Sequence, residues 1–114
     1  MIENCLTVRD LDKVLSTSHD KPVFLLKHST KCPISAGRWR VFHGLAQRES
    51  RAQFCKLLVI ESRALSRRVA RKTGITHESP QVILFHKGKA VWDTSHDSIT
   101  EEEMTKALEQ AISL

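Results

Sequence analysis

The sequence predicts an α/β domain with a mixed sheet of about four strands and helices on both faces. Two stretches, Val23–His28 and Gln53–Ile60, are near-continuous apolar runs of strand length, as expected of buried strands. Each is followed by apolar residues at helical spacing, and strands joined through helices run parallel. Two further runs, Gln81–Phe85 and Lys89–Trp92, flank His86-Lys87-Gly88. Glycine at a short turn between such runs marks an antiparallel hairpin.

Along the chain, Thr7 and Asp10 have the spacing of a capping box, with Asp in the usual Glu position. Leu11, Val14, Leu15 and Ser18 then place a helix over 10–19, and Pro22 stops it. A short strand near Cys5 is compatible with what precedes it. After the first long strand, Ile34, Val41, Phe42 and Leu45 recur at helical spacing, predicting a helix from Pro33 to Arg48. Proline suits the first helical position, where its missing N–H costs nothing, so Cys32 falls at the N-cap. A third helix is expected over Arg63–Lys72, with Leu65, Val69 and Ala70 inward and Gly74 as its stop. Thr100 and Glu103 form a second capping-box pattern. Met104, Ala107, Leu108, Ala111 and Ile112 follow as the clearest amphipathic helix. No internal repeat or low-complexity linker divides the chain, so residues 1–114 read as one domain. The order of elements is similar to the thioredoxin plan.

Composition narrows the function classes. The 114 residues are enough for one core. No apolar run approaches the roughly 18–20 residues of a membrane span, and Met1–Asp12 lacks the apolar block of a secretory signal. A cytoplasmic location and no membrane partner are expected. The net charge of +5 is concentrated. Lys27, Lys31, Arg38, Arg40, Arg48 and Arg51 stand against Glu49 over 27–51. Arg63, Arg67, Arg68, Arg71 and Lys72 stand against Glu61 over 61–72. Such faces are solvated helix surfaces or meet an anionic partner. Tyrosine is absent and aromatics are 5 %, which supplies a stacking platform for single strands poorly. No nucleic-acid partner is expected.

The chemistry is expected at Cys32. The three cysteines, Cys5, Cys32 and Cys55, are too few for a disulfide framework, and no Cys-x-x-Cys pair suggests zinc. A thiol at a helix N-terminus meets unpaired N–H groups and the positive end of the helix dipole. Both favour the thiolate, which is the nucleophile. Lys27, His28 and Lys31 are expected to add positive charge, and the loop follows a central strand's C-terminal end, where open α/β sheets place their sites. Ser35 stands where a dithiol oxidoreductase has its second cysteine. Cys32 therefore closes no local disulfide and must be resolved by another thiol. Ser35 either donates to the thiolate or caps the helix. Ser79-Pro80 opens the hairpin, and in a thioredoxin plan a cis-proline there faces the active cysteine. Cys55 reads as a core thiol. Cys5 reads as structural, with a remote resolving role as its alternative. His28 is near enough in sequence to tune Cys32, whereas His77 and His96 are scattered. No metal site or resident cofactor is expected.

These motifs resemble the YtxJ family, the monothiol bacilliredoxins of the bacillithiol system. The resemblance rests on Lys27-His28-Ser29-Thr30-Lys31-Cys32-Pro33-Ile34-Ser35, Val59-Ile60-Glu61-Ser62-Arg63 and His77-Glu78-Ser79-Pro80-Gln81-Val82. It extends through Gly88-Lys89-Ala90-Val91-Trp92 and Ser95-His96. It implies a thioredoxin fold, Cys32 as attacking thiol, Ser35 in place of a second cysteine and Pro80 in cis. The residues Lys27, His28, Thr30, Lys31, Pro33 and Ser79 would support that site. The implied activity removes bacillithiol from S-bacillithiolated proteins. Bacillithiol would serve as co-substrate, and a further thiol or a reductase would free Cys32. The malate carboxylates of bacillithiol would meet Lys27, Lys31 and Arg38.

Other readings stay open at this point. Cys32 and Arg38 satisfy Cys-x5-Arg, the phosphate-loop pattern of thiol phosphatases and arsenate reductases. Pro33 removes one N–H that such a loop needs. A cluster-binding monothiol glutaredoxin also uses one cysteine, although Cys-Pro-Ile-Ser differs from the Cys-Gly-Phe-Ser of that family. A non-enzymatic binding module would use the basic face alone.

Overall fold

A computed structural model describes residues 2–113. In chain order the elements are β1 (Ile2–Asn4), α1 (Val8–Thr17), β2 (Val23–His28) and α2 (Pro33–Arg48). Then follow β3 (Gln53–Leu58), α3 (Arg63–Thr73), β4 (Gln81–His86), β5 (Lys89–Ser95) and α4 (Glu101–Ile112). A single 3₁₀ turn, His96–Ser98, precedes α4.

The five strands lie in the order β1-β3-β2-β4-β5. β1, β3 and β2 run parallel, whereas β4 is antiparallel to β2 and β5 is antiparallel to β4. The mixed sheet is the expected one, with the short strand raised near Cys5 present as β1. That strand is three residues long and rests on pairing with β3, Ile2 to Phe54 through Asn4 to Lys56.

Alternation along the strands divides the core into two layers. Phe24 and Leu26 of β2, with Val82 and Leu84 of β4, face α2 and α4. Val23 and Leu25, with Ile83 and Phe85, face α1 and α3. On the first side Phe54 stacks on Phe24 and meets Phe42 edge-on, each at 5.3 Å between ring centroids. Each such buried side chain contributes about 1.5–3 kcal/mol. β2 is buried at every position.

Several boundaries move, each for a local reason. Helix α1 starts at Val8, because Thr7 Oγ1 accepts the Asp10 N–H at 3.1 Å and Asp10 Oδ2 accepts the Thr7 N–H at 3.1 Å. It ends at Thr17 rather than at residue 19. Strand β3 ends at Leu58, the residue opposite the last residue of β2. For α4 the Thr100 half of the capping box forms, with Oγ1 accepting the Glu103 N–H at 3.1 Å. In the β4–β5 turn Lys87 and Gly88 both have positive φ, 54° and 78°. Two successive left-handed residues make a two-residue hairpin turn compatible with strand twist. A Cβ on Gly88 would lie 2.9 Å from the His19 ring.

Candidate functional site

The site forms where β2 ends and α2 begins. Cys32 is the N-cap residue of α2, in extended conformation, and Pro33 is the first helical residue. Cys32 is half-buried and uses no side-chain capping bond. The loop before it is a tight turn, with Ser29 O accepting the Cys32 N–H at 3.4 Å and Ser29 Oγ accepting the Lys31 N–H at 3.3 Å. Thr30, Lys31 and Pro33 are exposed around it, and Ile34 is 50 % exposed.

Ser35 neither caps the helix nor stands free to face the thiol. It is fully buried, and its Oγ accepts the Ser29 N–H at 3.1 Å. Its Oγ also lies 2.8 Å from His28 Nδ1. With the Ser29 N–H already accepted, the hydroxyl proton is free to go to His28 Nδ1. The His28 ring packs against Trp39 of α2 in a tilted arrangement, with centroids 5.5 Å apart. Burial pushes the His28 pKa below its ordinary value, and Lys56 adds to this while Glu61 opposes it. A neutral imidazole on Ser35 and Trp39 follows. Trp39 itself lies under Lys56 Nζ, 4.8 Å from the ring centroid.

The Ser79-Pro80 bond is cis. Lys27 pairs with Gln81 across β2 and β4, so Pro80 lies at the level of the loop that carries Cys32. Pro80 is buried, and the Ser79 hydroxyl is buried without a hydrogen-bond partner among the described residues.

Two sequence expectations fail here. Lys27 does not lend its charge to the Cys32 side. It is one residue from His28 on β2, so its side chain leaves the opposite face, beneath α3. There Nζ donates to Ser66 O at 3.1 Å and lies 3.3 Å from His77 Nδ1. Burial pushes the Lys27 pKa down to about 8. Arg38 is also engaged elsewhere, since its Nη1 donates to Ile99 O at 2.8 Å. With Arg38 anchored and residues 33–48 wound into α2, no phosphate-cradling loop surrounds Cys32.

The other candidates disperse. Cys5 and Cys55 are 1 % and 3 % exposed in the α1/α3 layer. Burial raises Cys5 to about 11 and Cys55 to about 12. All three cysteines are free. His77 is beside Lys27, whereas His96 pairs with Glu78 at 3.6 Å. Among the described residues no cluster of three or more His, Cys, Asp or Glu is placed to hold a metal ion. No described helix is long and apolar enough to cross a membrane.

Sequence reasoning missed the supporting roles of Ser29, Trp39 and Ser66. Trp39 and Ser66 act through partners on other elements, which local spacing does not announce, whereas Ser29 acts within its own loop and onto Ser35.

Comparison with known proteins gives one family and one fold. A family model described as monothiol bacilliredoxin BrxC matches residues 3–104. A solved structure described as a candidate oxidoreductase with a thioredoxin fold superposes with a TM-score of 0.85. It is 33 % identical, over 93 % of this chain and 92 % of that one. A thioredoxin variant from Halobacterium salinarum is 23 % identical with a TM-score of 0.77, covering 99 % of this chain and 92 % of its own. Thioredoxin f from spinach chloroplast is 16 % identical with a TM-score of 0.78, covering 97 % and 93 %. The last two speak for the fold alone.

Proposed function

We propose that this chain, which belongs to the monothiol bacilliredoxin family and is a thioredoxin-fold oxidoreductase, removes bacillithiol from S-bacillithiolated proteins through a mixed disulfide on Cys32. The observation that carries the proposal is Cys32 at the N-cap of α2 with Ser35 buried three residues later. A nucleophile is present at the position where this fold supports thiol exchange, and no second thiol lies in the same turn.

The thiolate of Cys32 attacks the bacillithiol sulfur of the mixed disulfide. One S–S bond forms as the other breaks, and the protein thiolate leaves and takes a proton from water. No net oxidation occurs in this step. A second thiolate, from bacillithiol or a reductase, then attacks the Cys32 mixed disulfide and restores the Cys32 thiolate.

Each neighbour has a supporting role. Ser35 and His28 hold the loop, Pro33 starts the helix without an N–H to satisfy, and Thr30 and Lys31 border the sulfur. Ser79 and Pro80 offer backbone to the incoming disulfide, and the exposed Ile34 gives the protein substrate an apolar contact. The free thiols accord with a reducing, cytoplasmic setting.

The test is release of bacillithiol from a bacillithiolated protein, followed by mass spectrometry. The wild type is expected to remove the adduct, and Cys32→Ala is expected not to. Equal removal by both would overturn the assignment.

A further inference from the structure

Behind the loop of Cys32, on the α3 side of the sheet, lies a groove of about 500 Å³. Val59 and Ile60 form its apolar wall, and Arg63, Arg67, Arg71 and His77 supply its polar groups. The three arginines recur every four residues, so they form one row along α3. All three are exposed, and none has a carboxylate partner among the described residues. Glu78 next to His77 is turned to His96 instead.

The floor of the groove adds a second, independent observation. Ser66 and His77 line it, and both contact Lys27 Nζ. Lys27 is fully buried. No carboxylate pairs with it among the described residues. A buried ammonium is ordinarily compensated by an opposite charge. Here the compensation offered is one carbonyl and one imidazole. Cations thus stand on the rim and behind the floor of a single groove, with no carboxylate ion-paired to Lys27, Arg63, Arg67 or Arg71 among the described residues.

The groove opens at the end of the sheet that carries Cys32. The Val59 N–H donates to His28 O at 3.0 Å, so the apolar wall begins one hydrogen bond from β2's last residue. The volume lies within the range of small-molecule clefts.

We propose that this groove is the subsite for the two carboxylates of the thiol co-substrate, with Arg63 and Arg67 as specificity-determining residues and the field of Lys27 behind them. The proposal rests on the bacillithiol reading above and deepens it. It moves carboxylate recognition from the α2 side, where Arg38 is bound to Ile99 O, to α3. Guanidinium groups suit the task because they grip carboxylates through paired, charge-assisted hydrogen bonds.

The test compares two disulfides as substrates of Cys32, oxidised bacillithiol and the uncharged 2-hydroxyethyl disulfide. The quantity read is the ratio of their second-order rate constants. In the wild type this ratio is expected to favour bacillithiol. In Arg63→Gln/Arg67→Gln it is expected to fall by roughly tenfold or more, the scale of losing charged hydrogen bonds. Arg63→Lys/Arg67→Lys is expected to recover part of it. A wild-type ratio that favours bacillithiol and persists in the Gln variant would overturn this subsite and leave the bacillithiol reading intact. A wild-type ratio with no preference would overturn both. A loss seen only with a bacillithiolated acidic peptide, and not with oxidised bacillithiol, would assign the arginines to a protein partner and overturn the subsite.

Discussion

Ser35 Oγ lies 2.8 Å from His28 Nδ1 and 3.1 Å from the Ser29 nitrogen, so one buried hydroxyl ties the first turn of α2 to the end of β2. Removing it strands a buried N–H. Ser35→Ala is expected to destabilise the fold by about 1–3 kcal/mol, read from urea unfolding. A loss too small to resolve would show that the hydroxyl is not a tie.

Ser35→Cys tests the monothiol mechanism. Residues three apart share one helix face, and cysteines so placed at the start of this helix can bridge. The new thiol is expected to expel bacillithiol from Cys32 and leave a 32–35 disulfide. The long-lived adduct would vanish from the mass spectrum. Persistence of the adduct in this variant would contradict the expectation.

Cysteine labelling should separate the three thiols. Cys5 and Cys55 are buried, and burial lifts their pKa values to about 11 and about 12. Both effects slow alkylation. Iodoacetamide under native conditions is expected to label Cys32 first, by peptide mapping. Equal labelling of all three would contradict the burial.

Lys27 makes stability depend on pH. Burial lowers its pKa from 10.5 to about 8. The charged form is therefore disfavoured in the fold, and the penalty is complete below about pH 8. Between about 8 and 10.5, the unfolded chain binds the extra proton, so this group adds stability as pH rises. Lys27→Met is expected to unfold at higher urea than the wild type near neutral pH, with the advantage shrinking as pH climbs through that window. A constant difference across the window would contradict the titration.

What the sequence reveals about this molecule is mostly local. Cys32 at an N-cap follows from Pro33, because proline's fixed φ and missing N–H define the first helical position. The hairpin follows from Gly88 between two apolar runs. What stays hidden depends on partners distant in the chain. Strand β1 has three residues and exists through its ladder to β3, so the sequence points to a short strand near Cys5 but not to its partner. Lys27 and His28 are adjacent in sequence but face opposite sides of a sheet buried on both. A strand buried on both faces has no alternation to show which neighbour faces the site. The arginines of α3 were visible as a charge run. Their place in one groove with His77, which touches buried Lys27, appears only once the segment after α3 folds back.

In the proposed mechanism Cys32 carries bacillithiol alone, without help from a second thiol of the chain. Intact-mass and peptide analysis of the protein after exposure to oxidised bacillithiol tests this most directly. One bacillithiol is expected on Cys32, stable until free thiol is added, with Cys5 and Cys55 unmodified. An internal disulfide from Cys32 to Cys5 or Cys55 in place of that adduct would contradict it.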